Sequence, residues 1–161
     1  MLADRTKLAG WLALLLPAAL VGGAHFSELF GLVPCEMCWW QRWPHYAAVV
    51  VAAIGLVLPG AGLRRGAAVL AGLLVAVSGA IGVFHAGVEY HWWQGVTACT
   101  TSLQGGDPMD ILNQALRKPL IRCDSPQWTL FGISLAGFNA IFSLSGAAVI
   151  LWLALGRRHA R

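Results

Sequence analysis

Four long apolar runs divide the chain, at about residues 8–30, 39–58, 66–84 and 135–155. Each approaches the roughly 20 residues a helix needs to cross the hydrocarbon core of a bilayer. In hydrocarbon, every backbone N–H and C=O has to be paired within the chain, so these runs read as helices and not strands. Pro59-Gly60-Ala61-Gly62, followed by Arg64-Arg65, marks a tight turn that makes the second and third helices an antiparallel hairpin. Two polar stretches remain, at about 31–44 and 86–134. Within the longer one, Asp107 is a good N-cap, Pro108 suits the first helical position and Arg117-Lys118 close the segment. Met109, Leu112 and Leu116 share one face, which predicts a short amphipathic helix, either lying on the membrane surface or packed on the rest of the loop. The expected architecture is an all-α integral membrane protein: a four-transmembrane-helix bundle forming one domain over residues 1–161, with two loops on one side.

Composition agrees. Of 161 residues, 58% are apolar and only 11% charged, against about 25% charged in an ordinary soluble domain. The formal charge of +4 does not indicate a nucleic-acid partner, because the positive residues fall in short clusters between apolar runs. Their distribution predicts orientation. One set of helix ends carries Arg5, Lys7, Arg64, Arg65, Arg157, Arg158 and Arg161 against Asp4 alone, a net +6. The other carries Arg42, Arg117, Lys118 and Arg122 against Glu28, Glu36, Glu89, Asp107, Asp110 and Asp124, a net −2. The first set is expected in the cytoplasm with both termini, and the two loops on the opposite, outward side of the membrane. The start also resembles a secretory signal, with Arg5 and Lys7, an apolar core and a small-residue stretch at Gly22-Gly23-Ala24. The apolar run continues through Phe26 and Leu29, long for a signal core, so retention is expected. Cleavage would leave three helices with the same orientation, and intact mass distinguishes the two.

All four cysteines, Cys35, Cys38, Cys99 and Cys123, fall outside the apolar runs, on the side where disulfides persist. Cys35 and Cys38 form a close Cys-x-x-Cys pair; Cys99 and Cys123 have 23 residues between them. Pro34 suits a first helical turn, which places the close pair at the N-terminal end of the second helix, where unpaired N–H groups favour a thiolate. Arg42 follows Cys38 by four residues, so its guanidinium shares that face and reaches the Cys38 sulfur or an anion beside it. Pro44 predicts a break or kink.

Three readings of the cysteines compete. Two static structural disulfides would leave unexplained why a tight pair sits against the membrane one turn from an arginine, and so small a loop stabilises little. A four-cysteine zinc site usually combines two close couples, which Cys99 and Cys123 are not. Haem attachment needs histidine after the second cysteine, where Trp39 stands. The third reading is two redox-active pairs in series, exchanging disulfides through mixed intermediates. That chain needs a terminal acceptor, and in a membrane protein without a metal-ligand cluster a lipid-soluble quinone is the candidate. No metal site is expected.

Pro34-Cys35-x-x-Cys38-x-x-Gln41-Arg42, the loop carrying Cys99 and Cys123, and the tail Cys123-Asp-Ser-Pro-Gln-Trp128-Thr-Leu-Phe-Gly132-Ile-Ser-Leu-Ala-Gly-Phe138-Asn139 resemble the DsbB family, quinone-reducing disulfide-bond formation proteins of bacterial inner membranes. The resemblance covers nearly the whole chain. It implies a protein-dithiol:quinone oxidoreductase that reoxidises a periplasmic DsbA-like, thioredoxin-fold partner and reduces ubiquinone or menaquinone. It further implies that Cys99 and Cys123 form the disulfide that oxidises the partner, with Cys99 the point of attack. Cys123 then pairs with Cys35, Cys38 becomes the thiolate that contacts the quinone, and Arg42 binds the quinone. His85 corresponds to a histidine near the quinone. One departure is Gln41, where the family often has glutamate. Rival readings are a carrier running electrons outward, an enzyme like vitamin K epoxide reductase, and a scaffold with static disulfides.

Other residues are weighed beside these. His25 and Glu28, three apart, serve proton delivery or are simply exposed at the interface. Trp39, Trp40, Trp43, Trp92, Trp93 and Trp128 read mainly as an aromatic belt, with one or two walling the quinone ring. Asn139 is expected to bond a neighbouring helix.

Overall fold

The computed structural model describes residues 2–97, 107–109, 113 and 122–156. Four long helices dominate these: α1 (Leu2–Glu28), α2 (Glu36–Val57), α3 (Ala61–Glu89) and α4 (Leu135–Leu155). Between α3 and α4 lies a hairpin of two short strands, β1 (Thr129–Leu130) and β2 (Ile133–Ser134).

Three helices have the length and hydropathy to cross a membrane: residues 5–28 of α1, all of α3 and all of α4. The expected fourth run does not qualify on that measure. The first half of α2 is Trp39, Trp40, Gln41, Arg42, Trp43, Pro44 and His45, so its aliphatic stretch is short. The expected break at Pro44 does not occur, and α2 runs through it without interruption. Pro34 lies just outside α2; Cys35 is the N-cap, its sulfur accepting from Cys38 N at 3.3 Å. The α4 bounds match those expected, because Ser134 caps the helix by accepting from Gly137 N at 3.1 Å. Helix α3 is longer than its apolar run at both ends. Its start is a turn through Gly60 at φ 87°, a left-handed conformation that favours glycine, with Arg64 Nε donating to Leu58 O at 2.8 Å across the turn.

The core is built from small residues. Ala13, Ala48, Ala52, Ala71 and Ala147 pack with Val75 and Ile150 where the four helices meet. Small side chains let helix backbones approach closely, the usual packing of helices in lipid. At Gly79 a Cβ would lie 2.8 Å from Leu144 Cγ and 3.0 Å from Ser143 Cβ, so the α3 backbone packs there directly on α4 side chains. Large apolar side chains such as Leu15, Val50, Leu70, Ile141 and Trp152 face outward, as a lipid-facing surface requires.

The β hairpin has no counterpart among the expected elements. Its two-residue turn places Phe131 at φ 52° and Gly132 at φ 78°, the double left-handed turn that suits the strand twist. Tyr90, just past α3, holds it: its hydroxyl donates to Gly132 O and accepts from Ser134 N, both at 2.8 Å. Most of the expected amphipathic helix lies outside the described residues, although Asp107 Oδ1 accepts from Met109 N at 3.2 Å, the N-cap contact anticipated.

Candidate active site

The close cysteine pair sits at the tip of α2. Cys35 and Cys38 carry free thiols with their sulfurs 2.9 Å apart. Both precede the apolar part of the helix, and they titrate unequally. The hydrogen bond to Cys38, with burial, pushes the Cys35 thiol far above its usual range. The same hydrogen bond pulls Cys38 below its usual value against the cost of its own burial, with Arg42 assisting. Cys38 is therefore the more readily ionised of the pair, and Cys35 the one held as a thiol.

Cys123 is disulfide-bonded. Its partner is neither Cys35 nor Cys38, and Cys99 lies outside the described residues. Cys123 is buried in one apolar cluster with Cys35, Met37 and Val88. The two loops are clamped there by Gln127, whose amide accepts from Val33 N at 3.0 Å and donates to Val33 O at 2.6 Å. One side chain thus holds the strand that leads into Cys35 beside the segment that carries Cys123.

Behind the thiols runs a buried polar chain. His85 Nε2 lies 3.5 Å from Cys35 Sγ, and His85 Nδ1 is 2.8 Å from Gln41 Nε2. Gln41 Nε2 also donates to Met37 O at 3.1 Å, while Gln41 Oε1 accepts from Asn139 Nδ2 at 2.8 Å. Asn139 Oδ1 in turn lies 3.0 Å from His45 Nε2 and accepts from Ser143 Oγ at 2.8 Å. Asn139 bonds neighbouring helices as expected, joining α4 to α2 and, through Ser78, to α3.

Arg42 does not spend its hydrogen bonds on Cys38. Its guanidinium pairs with Glu28 of α1, donates to Ala24 O at 3.4 Å and stacks over Trp39 at 5.0 Å. Glu28 is thus committed to Arg42, and His25 reaches Tyr46 OH at 2.6 Å.

Two cavities meet at Cys38 and Arg42. The smaller, about 50 Å³, is mixed in lining but the more polar of the two, and also touches Cys35, His85, Glu89 and Arg122. The larger, about 310 Å³, is mainly apolar and opens between α1, α2 and α4, with Leu20, His45, Phe138 and Phe142 in its wall. Cys38, Arg42 and His45 fall at i, i+4 and i+7 on one face of α2, which is why all three line it. His85, expected at the quinone, lies against Cys35 and does not line this larger cavity. Its aromatic walls are phenylalanines, whereas Trp128 touches only the polar cavity.

The two sulfurs and His85 lie within 4.8 Å of one another, close enough for a soft metal ion. Hydrogen bonding argues otherwise: Gln41 Nε2 is a donor, so neutral His85 accepts at Nδ1 and carries its proton on Nε2, facing the sulfur with no lone pair. Glu89, His45, Gln127 and the two phenylalanines escaped the sequence reading. Phe138 and Gln127 stand within the quoted tail, and His45 was signalled only by its helical spacing from Arg42.

Three helices of membrane-spanning length, a free thiol pair beside a mainly apolar cavity, and a third, disulfide-bonded cysteine packed against that pair are the parts a membrane thiol–disulfide exchanger needs. Comparison with known proteins narrows this. Residues 6–153 match the sequence model for "Disulfide bond formation protein DsbB", and the chain belongs to that family. It is similar to "Disulfide bond formation protein B" of Azoarcus sp., 32% identical across 88% of this chain and 87% of the relative. It is likewise similar to "Disulfide bond formation protein B 2" of Pseudomonas savastanoi pv. phaseolicola, 32% identical across 91% of this chain and 86% of the relative. A "Probable disulfide formation protein" of Deinococcus radiodurans is 29% identical across 73% of this chain and 79% of the relative. No solved structure matches.

Proposed function

We propose that the protein oxidises a periplasmic DsbA-like dithiol protein and passes the two electrons through Cys99–Cys123 and Cys35–Cys38 to a membrane quinone. The observation that carries this reading is the cavity of about 310 Å³ that brings Cys38, Arg42 and His45 to one apolar space reachable from lipid. Quinone, when bound, supplies a two-electron acceptor that takes up two protons.

The residues fit such a ring. Phe138 and Phe142 offer flat apolar walls, and the volume is in the range of small-ligand sites. His45 is almost wholly buried, and its Nδ1 lacks a hydrogen-bond partner. Because Asn139 Nδ2 is a donor, Asn139 Oδ1 accepts from His45 Nε2, which leaves Nδ1 a lone pair suited to a quinol hydroxyl. Arg42, three residues earlier and about 4.5 Å away along the helix axis, supplies positive charge for the other ring oxygen. Cys38, four residues before Arg42 on the same face, provides the thiolate.

Upstream, the partner's thiolate attacks Cys99, and Cys123 is released beside Cys35, where the two already share one cluster. Once quinone has oxidised the Cys35–Cys38 pair to a disulfide, the Cys123 thiolate attacks Cys35, breaks the Cys35–Cys38 bond and displaces Cys38 as the thiolate. The charge asymmetry supports cytoplasmic termini, periplasmic cysteine loops and a fourth crossing by α2, whose polar first half is covered by the bundle. The test mixes the purified protein with a reduced DsbA-like partner and ubiquinone or menaquinone while following quinone absorbance. Oxidation of the partner matched one-for-one by quinone loss is expected. Net flow from quinol to the partner's disulfide would instead indicate a reductant carrier, and unchanged cysteine states a static scaffold.

A further inference from the structure

Gln41 has no assigned part in this scheme, yet it stands at the centre of the buried polar chain. Its orientation is determined by its neighbours. Met37 O can only accept, so the Gln41 atom 3.1 Å from it is the amide nitrogen. Asn139 Nδ2, which also bonds Ser78 O, can only donate, so the atom it meets is Gln41 Oε1. The second N–H of Gln41 therefore points at His85 Nδ1, 2.8 Å away. A neutral imidazole that accepts at Nδ1 must hold its proton at Nε2. That nitrogen faces Cys35 Sγ at 3.5 Å and Glu89 Oε1 at 3.7 Å, and the ring also bonds the main chain of Cys123, so the proton is shared among acceptors at this junction.

We propose that Gln41 fixes His85 as a hydrogen-bond donor to Cys35, so that His85 holds the Cys35 thiolate when this sulfur closes onto Cys38 and does not act as the base that deprotonates it. Gln41 and His85 are then positioning residues for the disulfide-forming step, a deepening that rests on the relay proposed above. When the Cys35–Cys38 bond forms, Cys35 loses its proton and the pair gives up two electrons to the quinone. The carboxylate of Glu89, on the same polar cavity and held by Ser134 Oγ, takes the Cys35 proton. With the two protons taken up by the reduced ring, dithiol plus quinone balances disulfide plus quinol. A glutamate at position 41 would reverse the arrangement: its carboxylate would accept from Nδ1–H and turn the Nε2 lone pair toward the sulfur.

The groups facing Cys35 are Cys38 on α2, His85 and Glu89 on α3, Cys123 across the cluster, and Arg42 and Arg122 on the shared cavity. Replacing Cys38 by alanine in the full-length protein, with the Cys123 disulfide intact, leaves Cys35 as the one free thiol. Its iodoacetamide alkylation rate is then read against pH. Q41E and H85L should each slow alkylation about tenfold at a pH below the midpoint, a displacement of about one pH unit. H85Q, which keeps an amide N–H near the Nε2 position, should stay within about twofold of the parent. Profiles of Q41E and H85L that overlay the parent, or H85Q falling as far as H85L, would overturn the proposal. Should a variant misfold, the ¹⁵N shifts of His85 in the unsubstituted protein decide: protonated Nε2 supports the proposal, protonated Nδ1 refutes it. Neither readout needs turnover. A protein that fails to reduce quinone yet shows these shifts would sink the relay and leave the Gln41–His85 assignment standing.

Discussion

At Cys35 and Cys38 the sequence was informative because the signal is local: two thiols three apart, a proline before them and an arginine one turn later fix what shares a face. Glu89 carried no such signal and His45 only its helical spacing from Arg42, and although Asn139 was legible as a residue that bonds a neighbouring helix, its partners were not, because they lie dozens of residues away. His45 meets Asn139 across 94 residues, and Glu89 meets Ser134 across 45. The inequality within the pair has a direct consequence. Because the Cys38 value is depressed and the Cys35 value raised, Cys38 holds the larger share of thiolate at any given pH and loses it as pH falls through its lowered value, while Cys35 stays protonated. Brief iodoacetamide treatment of the reduced protein at pH 7 should modify Cys38 first, as peptide mass mapping will show. Preferential modification of Cys35 would reverse the roles. Replacing His45 by glutamine keeps a donor for Asn139 but deletes Nδ1. Quinol should then bind about tenfold more weakly, the worth of one hydrogen bond, with thermal unfolding little changed. Equal quinol affinity in both proteins would remove His45 from the ring site.

The extents of the elements were legible where hydropathy and capping coincide, as at α4, and misjudged where they part. Helix α3 extends from Ala61 to Glu89 because Arg64 and Arg65 at one end and His85 and Glu89 at the other are helical without being apolar. Conversely, α2 is continuous through Pro44 because packing against α1 and α3 outweighs one missing backbone bond. The β hairpin was illegible: Phe131 is a poor candidate for a left-handed position, and Tyr90, distant in sequence, is what holds it there. The α3–α4 contact at Gly79 allows a test of packing. Gly79→Val puts methyl groups where a bare Cβ already lies 2.8 Å from Leu144, and should cost about 2 kcal/mol. Unfolding in mixed micelles reads this, and an unchanged midpoint would mean that the two helices separate freely there.

Across the whole molecule, the relay consists of two half-reactions meeting where Cys123 packs on Cys35, and the clamp from Gln127 to Val33 keeps that meeting place together. The halves should therefore come apart on demand. With Cys99 changed to serine, the partner's point of attack is gone, yet Cys38 still lines the larger cavity with Cys35 beside it. Added quinone should oxidise that pair once, visible as loss of two alkylatable thiols, with no partner oxidised afterwards. With Cys38 changed to serine, quinone reduction should vanish, while a mixed disulfide between the partner and Cys99 still forms and can be trapped on a non-reducing gel. Gln127→Ala leaves both chemistries in place and loosens only the junction. Each half-reaction measured alone should run at its normal rate, and steady-state turnover should fall severalfold. If Gln127→Ala instead slows quinone reduction alone, the clamp belongs to the ring site and not to the passage between the two cysteine pairs.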